Sequence, residues 1–298
     1  MKVSKVYINT YKYDFAFTKI CVASIRYWYP EIPIVLIKDV GGGEFNTGLM
    51  QKNWNVQVFE TDRKNFGWGF GKWEPLFLNN QERFLVLDAD TAITGPILDV
   101  VEQIDSHFIV DEEVQPEERF NEIYYKLDKI SEVNSKFIYP GYSFNEGQWF
   151  GTSGVLARND FDSILVWTSP PTPKFPQIIL QGAQGHLNYT LQWLVQNNKV
   201  TLTRKKIMIW PLDENVNSIK IEKIRSRSPE NPFIIHWAGI KFNQLNKLPY
   251  SEVANFYKKF YYQKSSIYHC IIDFFIDYYL FYEKRIVHGL NRFLNKFK

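Results

Sequence analysis

Two cysteines in 298 residues, Cys21 and Cys270, are too few for a disulfide framework, and both sit far apart in apolar stretches of helical spacing. A reducing cytoplasm fits that usage best. The opening MKVSKVYINT lacks the apolar centre of a signal peptide. No run approaches the roughly 20 apolar residues of a membrane-spanning helix. A net charge of +3 with dispersed lysines and arginines speaks against nucleic acid as the main partner. Phosphate-loop chemistry is also missing: Gly41-Gly42-Gly43 has neither the G-x-G-x-x-G spacing nor a Lys-Ser/Thr ending and reads as a surface turn. Asn188-Tyr189-Thr190 has the form of a glycosylation acceptor, but in a chain without secretion it reads as part of a helix.

What is abundant is aromatic, 17% of the chain, with a concentration after Tyr250. The length suits one large α/β domain over residues 1–250 and a helical appendage over 251–298. KVSKVYI (2–8) predicts a first strand, Phe15 to Tyr29 a helix stopped by Pro30, and Pro33 to Ile37 a second strand, which together imply a right-handed parallel crossover. Val56 to Phe59 predicts a third strand, and Glu112 to Glu122 an exposed acidic helix.

The most informative stretch is RFLVLDADTAIT, residues 83–94. Its continuous apolar run, Phe84 to Leu87, is the mark of a strand buried on both faces of a parallel sheet. Ligands gather at the carboxyl ends of such strands. There Asp88 and Asp90, two apart, turn their carboxylates to one side, and small Ala89 leaves room for a ligand. Oxygen ligands of this kind suit Mg²⁺ or Mn²⁺, whose remaining positions a diphosphate can fill. A bare D-x-D occurs about once by chance in such a chain. The second one here, Asp160-Phe161-Asp162, follows no apolar strand and reads as a turn and helix cap.

Other candidates lie at predicted strand ends. Asn9-Thr10 closes the first strand and is placed to meet a nucleotide. Lys72 follows a loop of glycines alternating with aromatics and is placed to meet a phosphate. In Trp149 to Ala157 the small residues Gly151 to Gly154, Ser153 among them, allow a ligand close to the backbone. A strand from Pro232 to Ile235 delivers His236-Trp237-Ala238-Gly239-Ile240-Lys241, in which imidazole is a fitting third ligand, Gly239 permits close backbone approach and Lys241 brings positive charge.

With Lys72, LDADT, the Gly-Thr-Ser-Gly strand and HWAG-x-K in this order, residues 1–250 resemble GT-A-fold glycosyltransferases, nearest to the glycosyltransferase family 8-like group. The resemblance implies a Rossmann-like, mostly parallel sheet flanked by helices, and a hexosyltransferase using a nucleotide-sugar, UDP-linked by preference, with retention of configuration favoured. It implies Asp88, Asp90 and His236 as holders of Mn²⁺ or Mg²⁺, with Gly239 and Lys241 at the diphosphate. Gln184 falls near the sugar. The chain departs from the pattern in three ways: Lys241 stands one residue closer to the glycine, Phe242 replaces a proline, and Ala183 precedes Gln184 where an acid is usual. The implied chemistry is metal-assisted departure of a nucleoside diphosphate. An inverting enzyme would need a base as well, for which Asp111, Glu112, Glu113 and Glu146 are open candidates.

Two rival readings are a non-catalytic nucleotide- or membrane-binding module of the same fold and a haloacid-dehalogenase-type phosphatase. The second needs Thr or Val where Ala92 stands. The tail adds a partner. Ile267 to Tyr282 is apolar but broken by Asp273 and Asp277, and from Lys284 onward Lys284, Arg285, Arg292, Lys296 and Lys298 flank an apolar stripe of Ile286, Leu290, Phe293, Leu294 and Phe297. This predicts peripheral attachment to an anionic membrane at the inner face of the cell, with a glycan or lipid-linked acceptor in surface-polysaccharide assembly. The alternative is a helix pair docked on the catalytic domain or on a second subunit in a homodimer.

Overall fold

The computed structural model describes residues 1–67, 69–113, 115–180, 182–211, 219–230, 232–239, 246 and 248–294, with side chains as far as Val287. Its strands in chain order are β1 (Val3–Tyr11), β2 (Ile34–Asp39), β3 (Val56–Val58), β4 (Arg83–Asp88), β5 (Thr91–Ile93), β6 (Phe108–Val110), β7 (Gln148–Thr152), β8 (Leu165–Val166), β9 (Thr172–Pro173), β10 (Leu202–Arg204), β11 (Met208–Ile209) and β12 (Ile234–His236). Seven form the main sheet in the order β10-β6-β7-β4-β1-β2-β3. Every neighbouring pair is parallel except those made by β7, which runs against β4 and β6. This is the mostly parallel α/β architecture expected from the sequence.

The apolar run of β4 is central because both faces of the sheet are covered. Phe84 to Leu87 are all at most 1% exposed. Leu85 and Leu87 join one core cluster, Phe84 and Val86 the other, and each contributes about 1.5–3 kcal/mol by leaving water. The helix Phe15–Trp28 buries most of its residues against β1 and β5, and the helix Ser251–Tyr262 packs on it through Val253, Ala254 and Tyr257.

A second, three-stranded sheet, β11-β12-β5, shapes the site. β5 pairs antiparallel with β12, and the register sets His236 opposite Thr91, while Trp237 N–H donates to the Asp90 carbonyl at 2.9 Å. Two segments far apart in the chain are thereby locked side by side.

Some expectations are corrected. The acidic helix spans only Glu117–Ile123; Phe120, Tyr124 and Tyr125 are buried, and Glu113 accepts a short hydrogen bond from the Tyr124 hydroxyl in the interior. Ser153 and Gly154 do not approach the strand ends that carry the acids. Because β7 runs antiparallel, Thr152 pairs with Arg83 at the start of β4, and Ser153 Oγ hydrogen-bonds the Asn80 carbonyl there. Gly151 is needed for packing: a Cβ would stand 2.5 Å from the Trp149 ring and 2.9 Å from that of Phe84.

Candidate active site

At the carboxyl end of the main sheet opens a cleft of about 820 Å³ lined by Asn9, Lys72, Asp88, Ala89, Asp90, Glu146 and Gln184 among others. Asp88 ends β4; Asp90 follows in the turn that leads into β5. His236 Nε2 lies 3.2 Å from Asp90 Oδ1 and 3.8 Å from Asp88 Oδ2. One ligand atom from each of these three residues falls within 4.8 Å of the others. Two carboxylate oxygens and an imidazole nitrogen are a donor set for a hard or borderline divalent ion such as Mn²⁺ or Mg²⁺, with space on the cleft side for further ligands. Trp210 stacks on the His236 ring at 5.3 Å and 20° between planes, which fixes its orientation.

Lys72 organises the other side. Its Nζ is 2.9 Å from Asp88 Oδ1 and 3.1 Å from Glu146 Oε1, and its side chain is 3% exposed. Burial alone would lower the Lys72 ammonium, but attraction to Asp88 and Glu146 outweighs it, and the net shift is upward. Burial pushes the Glu146 carboxyl up to about 7, with Lys72 opposing and Asp88 adding to the rise. For Asp90, burial would raise the carboxyl, yet neighbouring His236 turns the net shift downward; for His236, burial would lower the ring and Asp90 turns it upward. The Asp90 carboxylate thus aligns the His236 ring, and a cation would take that ring in its neutral form.

The sequence candidates thus divide. Asp88, Asp90, Ala89, Asn9, Lys72 and Gln184 meet in the cleft, and His236 joins the two aspartates. Thr10 is fully buried and shares a 2.6 Å hydrogen bond with Thr18, so it props the wall from behind. Gly239 is exposed, with φ +72. Lys241 and Phe242 lie outside the described residues. Of the four acids weighed as bases, Glu146 alone lines this cleft. Asp111 is a structural acceptor for the N–H groups of Ile207 and Met208, at 2.8 and 2.9 Å.

Other lining residues were not read from the sequence as part of a cleft: Tyr11, Tyr13, Asp14, Asp39, Asn65 and Lys284. Gly41 and Gly42, read as a plain surface turn, also reach the cleft, where Asp39 Oδ1 accepts from Gly41 N–H at 2.8 Å and its Oδ2 from Gly67 N–H at 2.9 Å. Lys284 arrives from the C-terminal helix Ile267–Leu294, with its Nζ 3.3 Å from Asp14 Oδ1 and over the Tyr11 ring. Of the five basic residues read as flanking the tail's apolar stripe, Lys284 is turned to the catalytic domain. Burial pushes the Asp14 carboxyl up to about 7, Lys284 opposing and Asp90 and Asp88 adding.

That helix is built inside out. Its acidic side chains face the protein: Lys19 Nζ is 3.1 Å from Asp273 and 3.0 Å from Asp277, and Lys12 is 2.7 Å from Glu283. Ile267, Tyr268, Ile271, Phe274, Phe275, Tyr279 and Ile286 are all more than half exposed. The predicted stripe beyond Val287 lies outside the described side chains. No helix among the described residues is long and apolar enough to cross a membrane.

The fold is shared with solved glycosyltransferases of the GT-A type. The structure of the apo bifunctional glycosyltransferase WbbM superposes with a TM-score of 0.56 at 11% identity over 86% of this chain and 50% of that one. For the galactosyltransferase LgtC, solved with donor and acceptor sugar analogues, the values are 0.54, 10%, 88% and 97%. For apo GlyE of Streptococcus pneumoniae TIGR4 they are 0.50, 13%, 87% and 60%. The chain thus spans half of WbbM and nearly all of LgtC. No protein-family model and no curated protein matches the sequence.

Proposed function

We propose that this protein is a metal-dependent glycosyltransferase that moves a sugar from a nucleotide-sugar, UDP-linked by preference, to a glycan or lipid-linked acceptor. The observation that carries the reading is the Asp88-Asp90-His236 cluster at the carboxyl end of a GT-A sheet, inside a cleft large enough for a nucleotide-sugar.

In this reading Asp88, Asp90 and His236 hold Mn²⁺ or Mg²⁺. Bound there, the ion supplies Lewis-acid neutralisation of the departing diphosphate. Lys72 fixes Asp88 by one oxygen, which leaves Oδ2 turned to His236. Asn9, Ala89 and Gln184 line the donor's path, and Gly239 and Lys241 are assigned to the diphosphate by the sequence resemblance. Retention of configuration is the favoured outcome on the same ground. Residues 1–250 form the transferase unit and 251–298 its helical tail.

The tail's proposed role is supported by its inverted faces. An aromatic and aliphatic surface kept outward by ion pairs beneath it suits the interfacial zone of an anionic bilayer. A lipid-linked acceptor would be presented there, at the inner face of the cell membrane; a second copy of the chain is the competing occupant. The test is a thermal-shift panel of nucleoside diphosphates and nucleotide-sugars with and without Mn²⁺, followed by donor turnover. Metal-dependent stabilisation by one nucleotide with turnover of its sugar conjugate is expected. Binding without turnover under any acceptor would favour a non-catalytic module.

A further inference from the structure

Glu146 stands apart from the other acids of the cleft. It lies on the segment leading into β7, immediately before Gly147, and its side chain is 8% exposed. Lys72 grips its Oε1 at 3.1 Å, while Oε2 is buried without a hydrogen-bond partner among the described residues. Asp88 is gripped by the same ammonium in the same way, through one oxygen, but its second oxygen faces His236 in the metal cluster. Glu146 is not one of that cluster. Its free oxygen therefore waits for a different donor, since a buried acceptor without one is destabilising.

What a nucleotide-sugar can offer there is limited by charge. Phosphate oxygens are acceptors and anionic, so a carboxylate repels them. Sugar hydroxyls are neutral donors. The neighbouring wall is also built for hydrogen bonding: Asn145 Nδ2 donates to Gln184 Oε1 at 3.3 Å, and Gln184 shares the cleft. Simple neutralisation of Lys72 does not require Glu146, because Asp88 already faces the same ammonium at 2.9 Å. We infer that Glu146 is a specificity residue whose Oε2 accepts a hydrogen bond from a hydroxyl of the donor sugar. This rests on the nucleotide-sugar reading above and adds to it the group that reads the sugar.

Calorimetric titration in Mn²⁺ with UDP, UDP-glucose, UDP-galactose and UDP-N-acetylglucosamine tests it. The wild type is expected to bind one nucleotide-sugar more tightly than UDP. Glu146→Ala should weaken that conjugate roughly ten- to hundredfold, the range for a hydrogen bond to a charged group, and leave UDP unchanged. Glu146→Gln, close in shape, should fall between and carries the test if the alanine variant fails to fold. Unchanged affinity for the nucleotide-sugar, or an equal loss for UDP and its conjugates, would overturn the inference; the second result would make Glu146 a mere support of Lys72 and the metal cluster. A wild type that binds neither UDP nor any conjugate would overturn the proposed function and this inference with it.

Discussion

Gly147 presents a bare Cα to the imidazole of His236: a Cβ built there would stand 2.2 Å from Cε1 and 2.8 Å from Nδ1. The ring is also held by Trp210 and by its approach to Asp90, so it can yield to a Cβ only by giving up those contacts. Gly147→Ala should therefore displace His236, cost about 1–3 kcal/mol through overpacking, and weaken Mn²⁺-dependent UDP binding more than metal-free binding. Equal metal dependence in wild type and variant, read by calorimetry, would count against His236 as a ligand.

Asp90→Asn removes one carboxylate from the cluster while keeping its shape. Loss of even an outer partner of a metal site commonly costs 10–100-fold in metal affinity, and loss of a ligand should cost at least as much. The expected outcome is a folded protein whose nucleotide binding no longer responds to Mn²⁺. Unchanged affinity and metal dependence would remove the central reading.

Lys72→Met strips two carboxylates of their shared counter-ion. Breaking a buried ion pair from one side typically costs about 3–5 kcal/mol, lessened here because Asp88 is a quarter exposed. Glu146→Gln in the same chain removes part of the stranded charge and should recover part of the loss. Urea unfolding of both singles and the double variant measures the coupling; strict additivity would contradict the bridging role of Lys72.

His186 governs a pH response away from the Asp88-Asp90-His236 cluster. It is fully buried in the helix Ala183–Gln196, its Nε2 without a hydrogen-bond partner among the described residues, and burial pushes its ring down to about 4 from an ordinary 6.5. Because the unfolded chain binds the proton more readily, His186 contributes stability above pH 6.5 that is lost as pH falls towards 4, up to about 3 kcal/mol. Asp14 and Glu146, both raised to about 7, act in the opposite sense, adding stability as pH falls through 7. Denaturation of wild type and His186→Gln between pH 7 and 4 isolates the histidine. The difference between them should shrink with acid, and a constant difference would contradict a neutral buried ring.

The outer face of the C-terminal helix gives a separate prediction. Phe274→Ser with Phe275→Ser removes two large side chains, 60% and 64% exposed, without touching the ion pairs to Lys19. Co-sedimentation with anionic vesicles should drop, with melting temperature unchanged. Dissociation of a dimer by the same pair, with vesicle binding unaffected, would assign the face to a second copy.

Local signals in the chain were sufficient for the sheet's central strand and for two acids of the candidate metal cluster. An apolar run ending in Asp88-Ala89-Asp90 constrains burial, strand and side-chain direction at once, because each depends on neighbours one or two residues away. The helix Phe15–Trp28 and the strand before His236 were legible for the same reason. Orientation was not. Whether the strand after Gly147 runs with or against β4 leaves no mark in a short apolar segment, and the antiparallel answer moved Ser153 and Gly154 to the far end and brought Glu146 into the cleft. Nor does a residue's own neighbourhood announce a partner hundreds of positions away. Lys284 at Asp14, Lys19 at Asp277 and His236 at Asp90 are meetings made by packing, and the tertiary structure alone decided which charges face each other and which apolar side chains are left turned to solvent.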